Sequence, residues 1–219
     1  MENRFASRSD LIQPDLEDQL KLLLSNLTLP VQLTCIADEG EKSSEMGAFL
    51  NHLSSLSDQL TCVFLSPGEK TACEEVMDAS MLPVTGIGSP GGIPRMEFHG
   101  IPGGKEISSF ASGILAAGGA VKPLDKYTMK DIGKIRKPMI LQVCVSLACQ
   151  HCAQLAASAL RIAFENPQVV THVIDANLYP QLVEKYQIER VPLLIVDREN
   201  LYPGGKTMGE LTTLLAKHK

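Results

Sequence analysis

Met139-Ile-Leu-Gln-Val-Cys-Val-Ser146 runs into Leu147-Ala-Cys-Gln-His-Cys152 and on into the Ala- and Leu-rich stretch Ala153 to Glu165. The first segment is an apolar run of strand length, and the last has apolar residues at helical spacing. The two cysteines therefore sit where a strand hands over to a helix, with Cys149 expected at the N-terminus of a helix over 149–165 and Cys152 one turn inside. The unpaired N–H groups and positive dipole end of that helix stabilise an anion, so Cys149 is expected to have a depressed pKa and to be the attacking thiolate. Cys152, three residues on, can reach back to break a mixed disulfide. Gln150 and His151 lie between them, and a partly protonated His151 further favours the thiolate.

Outward from this stretch the chain alternates helices and strands. Downstream come a strand at Val169–Asp175, a helix at Tyr179–Gln187, a strand at Pro192–Val196, a turn into Leu201-Tyr202 and a helix at Thr207–Lys217, opened by the capping-box pattern Thr207-Met-Gly-Glu210. Upstream the same order appears: helix 15–27, strand 30–37, helix 43–56 with Leu50 and Leu53 on its buried face, strand 59–65, a short helix 72–77, strands at 82–84 and 95–99, and a helix 106–117 stopped by Gly118-Gly119. A short helix at Thr128–Ile135 opens the second half. Pro30 and Pro138 are 108 residues apart, Gln59 and Val169 110, and Pro83 and Pro192 109. Such a constant offset predicts a tandem duplication of one α/β unit, each a central mixed sheet flanked by helices, with a boundary between 1–119 and 120–219.

Composition removes several classes of function. The 219 residues are 44% hydrophobic and 21% charged, which excludes wholesale disorder, and a formal charge of −5 with no Trp and 5% aromatics gives nothing to a nucleic-acid surface. No apolar run reaches the length of a membrane span, and the polar opening lacks a secretory pattern, so a cytoplasmic protein with reduced thiols is expected. Metal binding is not expected at the cysteine pair, because there is no second CxxC and no HxxxH. Val191-Pro192, opening an apolar strand, is expected to carry a cis bond and to pack against the pair. Cys35, Cys62 and Cys144 lie in apolar strands and read as core residues, while Cys73 reads as partly exposed. Gly205-Lys206-Thr207 and Gly104-Lys105-Glu106 do not complete a phosphate loop.

The order of elements around Ser146–Cys152, with Val173–Ala176 and Glu189–Pro192, resembles a thioredoxin fold. Two such units in tandem, with Leu27–Leu33 and Phe98–Gly119 in the first and thiols only in the second, resemble the N-terminal domain of the alkyl hydroperoxide reductase flavoprotein. That resemblance implies a protein disulfide oxidoreductase that takes electrons from a flavoprotein disulfide reductase and passes them to a peroxiredoxin or another disulfide-bearing protein, with Cys149 and Cys152 catalytic. The chain stops at Lys219 and has no G-x-G-x-x-G after a strand, so it is expected to be free-standing and to bind no flavin or nicotinamide cofactor of its own. Alternative readings are a general disulfide reductase or isomerase, and a non-catalytic adaptor. At the offset of 108, Cys149 and Cys152 fall on Glu41 and Ser44, so the first half lacks thiols at the working positions. A proton acceptor for Cys152 is expected nearby, but the position six before Cys149 is Val143, which leaves Glu184 as the candidate.

Overall fold

The computed structural model describes residues 4–69, 71–73 and 76–218. The chain divides into two compact units, residues up to 101 with 114–120, and residues 102–113 with 121–219. The first unit runs α1 (Pro14–Leu24), β1 (Val31–Ile36), α2 (Glu41–Ser54), β2 (Leu60–Leu65), β3 (Val84–Gly88) and β4 (Met96–His99). A 3-10 turn at Gly104–Glu106 then leads into α3 (Ile107–Ala117), through which the division between the units passes. The second unit continues with α4 (Lys126–Ile132), β5 (Met139–Val145), α5 (Cys152–Glu165), β6 (Val169–Asp175), α6 (Pro180–Tyr186), β7 (Leu193–Val196), β8 (Asn200–Pro203) and α7 (Met208–Leu215).

The strands of the first unit lie in the order β2-β1-β3-β4, and those of the second in the order β6-β5-β7-β8. In both, the first strand pairs in parallel with the second and antiparallel with the third, and the third pairs antiparallel with the fourth. The β5 run is buried almost throughout, the pattern of a central strand covered on both faces, whereas β2 alternates buried and exposed. Small side chains let α5 lie close on its sheet: Ala156, Ala159 and Ala163 are fully buried beside Leu155 and Ile162. In the first unit Met46, Phe49, Leu50 and Leu53 of α2 fill the matching core with Val31, Leu33 and Ile36. Among the described residues no helix is long and apolar enough to cross a membrane.

Helix boundaries differ from the sequence expectation for local reasons. The 149–165 helix begins at Cys152 with His151 as N-cap, because the Cys149 N–H donates to the Ser146 carbonyl at 2.9 Å and closes a turn ahead of it. The helix expected from Thr128 starts at Lys126, where the Asp125 carboxylate accepts from the Tyr127 and Thr128 N–H groups, and stops at Gly133. The chain from Gly104 enters α3 through the 3-10 turn rather than directly. The capping box at Thr207 forms in full. The short helix expected over 72–77 includes Glu74 and Glu75, which lie outside the described residues; 72 and 73 are in a turn. Cys35 and Cys144 are fully buried as expected, but Cys62 sits half-exposed on β2, the first strand in the sheet order of its unit.

Candidate functional site: the Cys149–Cys152 loop

Cys149 and Cys152 are joined by a disulfide with their Cα atoms 5.5 Å apart. Their exposures differ sharply. Cys149 is half-exposed in the turn between β5 and α5, while Cys152, the first residue of α5, is 0% exposed. A sulfur on another molecule can therefore reach Cys149, whereas Cys152 can react only with its neighbour. The free N–H groups of the first turn of α5 have no side-chain cap, since His151 makes no capping bond, and Cys149 lies just beyond them. That end of the helix favours a thiolate when the pair is reduced.

The second strand of chain at the site comes from the turn before β7. The Val191–Pro192 peptide bond is cis, and the Val191 carbonyl oxygen lies 3.9 Å from Cys149 Sγ, within reach of an S–H in the dithiol form. Pro192 is buried and Val191 half-exposed. The Gly204 N–H donates to the Pro192 carbonyl at 2.9 Å, tying the β8 turn to the same segment. Gln150 and His151 are both exposed, on the rim rather than beneath the sulfurs.

Glu184 is exposed on α6, and the structure gives it no bond to the cysteine pair. A different carboxyl, which no sequence pattern marks, lies buried near the loop. Glu106 is 0% exposed in the 3-10 turn, and the N–H of the preceding Lys105 donates to the Leu147 carbonyl, two residues before Cys149, at 3.0 Å. The Ser109 hydroxyl donates to Glu106 Oε2 at 2.6 Å, and Oε1 has no hydrogen-bond partner among the described residues. Burial pushes the Glu106 carboxyl up to about 7; the Ser109 bond opposes that rise and the negative charge of Asp175 adds to it. Asp175 is itself buried and is paired in register with Val145, the last residue of β5.

The other thiols are electrically quiet. Burial pushes Cys35 and Cys144 up to about 12, and it raises Cys62 as well, so none supplies a thiolate at neutral pH. In the first unit, α2 and α5 each contain 14 residues, beginning at Glu41 and Cys152. Aligned from those starts, Glu41 takes the place of Cys152 and Asp38 that of Cys149, rather than Glu41 and Ser44 as the uniform offset suggests; the loop before α2 is two residues shorter. The Asp38 carboxylate accepts from the Ser43 hydroxyl at 2.6 Å and the Gly40 N–H at 2.9 Å, and these bonds hold it below the usual carboxylate range. Leu82–Pro83 is cis like its counterpart, so the first unit keeps the proline turn without the thiols.

Residues 139–216 match the thioredoxin domain family. The alkyl hydroperoxide reductase flavoprotein AhpF of Pseudomonas putida is 27% identical over 201 residues, covering 92% of this chain and 36% of that protein. AhpF of Escherichia coli K12 is 24% identical, over 92% of this chain and 37% of its own length, so the chain spans about a third of the curated relatives it matches. Among solved structures, the NTD_N/C domain of Enterococcus faecalis (V583) AhpF superposes with a TM-score of 0.88 at 29% identity, covering 93% of this chain and 99% of that one. A protein disulfide oxidoreductase from Aeropyrum pernix shares the fold, with a TM-score of 0.83 at 17% identity over 94% of this chain and 93% of that one. Residues 139–216 thus form a thioredoxin domain, and the chain is homologous to the N-terminal domain of the alkyl hydroperoxide reductase AhpF.

Proposed function

We propose that the chain is a dithiol–disulfide carrier that works through Cys149 and Cys152. The observation that carries this reading is the contrast between the two sulfurs, one open to a partner and one fully buried behind it. In the reduced protein the Cys149 thiolate attacks one sulfur of a partner disulfide, forming a mixed disulfide and releasing the other partner sulfur as a thiolate. The Cys152 thiolate then attacks Cys149 Sγ. This step closes the Cys149–Cys152 disulfide and frees the second partner sulfur, so two electrons and two protons pass to the partner. Cys152 must lose its proton in a buried site, and Glu106, a buried carboxyl whose affinity for a proton is raised, is the acceptor we assign to it. The Val191 carbonyl and Pro192 form the wall against which the partner chain lies, with Gln150 and His151 at its rim.

By the likeness to AhpF, a flavoprotein disulfide reductase restores the dithiol and a peroxiredoxin is the favoured acceptor, in the reducing cytoplasm. In that arrangement residues 1–119 act as a unit without redox chemistry and residues 120–219 as the carrier. Cys152→Ser tests the reading, because it stops the second step and leaves partners bound to Cys149. A carrier is expected to be trapped with one dominant cellular protein, and an isomerase with many. No trapped species at all, together with a wild-type protein that does not reduce insulin, leaves only an adaptor role and overturns the proposal.

A further inference from the structure

Four residues occur twice: Pro102-Gly-Gly-Lys105 before α3 and Pro203-Gly-Gly-Lys206 before α7, 101 residues apart. Both loops fall in the second compact unit, and both touch the redox loop. The first meets it at Leu147. There the Lys105 N–H donates to the Leu147 carbonyl at 3.0 Å, and Gly104, with φ at +54°, comes so close that a Cβ would stand 2.5 Å from the same oxygen. The second meets it at His151, whose carbonyl oxygen and Cβ would lie 3.7 and 3.8 Å from a Cβ on Gly205. The same loop holds the proline turn, through the Gly204 N–H on the Pro192 carbonyl, and is closed on itself by Lys206 Nζ, which donates to the Pro203 and Gly204 carbonyls at 3.2 and 3.3 Å.

The segments that set the place of Cys149 Sγ are the turn 147–151 and the Val191–Pro192 bond. One Pro-Gly-Gly-Lys loop is bonded to the first of these, and the other is bonded to the second and packed on the first. We propose that the repeated loops are a duplicated clamp that positions Cys149 for exchange, with Gly104 as the positioning residue that admits no side chain. This rests on the reading of Cys149 as the attacking thiol. The steric requirement is particular to one glycine. Gly103, next to it, has extended backbone at φ −93° and ψ 179°, and a Cβ there would lie at an ordinary 3.6 Å from Leu147 Cδ1. At Gly104 a side chain meets both a left-handed φ and a backbone oxygen that cannot move without taking the turn with it.

The test compares Gly104→Ala with Gly103→Ala in the full chain, by the rate of Cys149 alkylation with iodoacetamide across pH and of exchange with oxidised glutathione. Gly104→Ala is expected to slow both by up to roughly 100-fold, the scale of an ångström's displacement of a reacting group, and to move the midpoint of the pH profile. Gly103→Ala is expected to keep the wild-type rates and midpoint. A Gly104→Ala protein with the wild-type profile, or a Gly103→Ala protein equally impaired, overturns the clamp. If Gly104→Ala does not fold, hydrogen exchange in the wild-type protein decides. Protection of the Lys105 amide supports the clamp, and exchange as fast as in an open loop overturns it. Failure of the redox reading looks different, since the wild-type protein itself would then not exchange with glutathione.

Discussion

Replacing Glu106 by Gln removes a buried acid while leaving an oxygen to accept the Ser109 hydroxyl, and its effect on stability follows from where the acid titrates. The folded carboxyl is raised from 4.5 to about 7, and the unfolded one titrates near the lower value. Between those two pH values the folded state holds a proton that the unfolded state has released, so the wild-type protein loses stability as pH rises through this window and levels off above it. At 1.36 kcal/mol per pH unit, the loss is on the order of 3 kcal/mol. Glu106→Gln carries no such charge, so the pair should have similar stability at pH 4.5, and the variant should exceed the wild type by roughly that amount at pH 8. Urea unfolding followed by circular dichroism at half-unit steps of pH measures the difference directly. Parallel curves for the two proteins from pH 4.5 to 8 would refute the assignment of Glu106 as a buried acid that binds its proton near neutrality.

Three further outcomes are expected. Asp125→Ala removes the side chain that caps α4 and should lower stability by about 1 kcal/mol, read by urea midpoint, with no change in the rate of thiol exchange. Thr207→Ala breaks the reciprocal bonds with Glu210 at the start of α7 and should cost about the same, again without touching the cysteine chemistry. Cys144→Ala leaves a small cavity in the sheet and should cost about 1 kcal/mol, yet its alkylation profile at Cys149 should match the wild type, because the Cys144 thiol is buried and held at about 12.

The redox loop is legible in the sequence because its signal is local: two thiols at a spacing of three, after an apolar strand and before an Ala-rich helix. The duplicated order of strands is legible for the same reason, since burial on both faces writes near-continuous apolar runs such as 139–145 into the chain. Glu106 is not. It lies 43 residues before Cys149, and only the bond between the Lys105 N–H and the Leu147 carbonyl shows that its turn packs beside the loop. The strand before the cysteines offers Val143 where an acid is expected, and Glu184, the candidate left by that gap, is exposed. The start of α5 falls later than its composition suggests because the bond from Cys149 N–H to the Ser146 carbonyl replaces a helical one with a turn, something residue type alone does not signal. The repeated Pro-Gly-Gly-Lys is present in the sequence, but each copy taken singly resembles an incomplete phosphate loop, and only the contacts with Leu147 and His151 make them a pair.

In the mechanism proposed, Cys149 is the one thiol that meets other molecules. Brief exposure of the fully reduced protein to iodoacetamide at neutral pH, followed by mass-spectrometric mapping, tests this. The expected result is label on Cys149 before any of the other five cysteines, with Cys152 unlabelled. Label appearing on Cys152 first, or on Cys62 or Cys73 at the same rate as on Cys149, would contradict it.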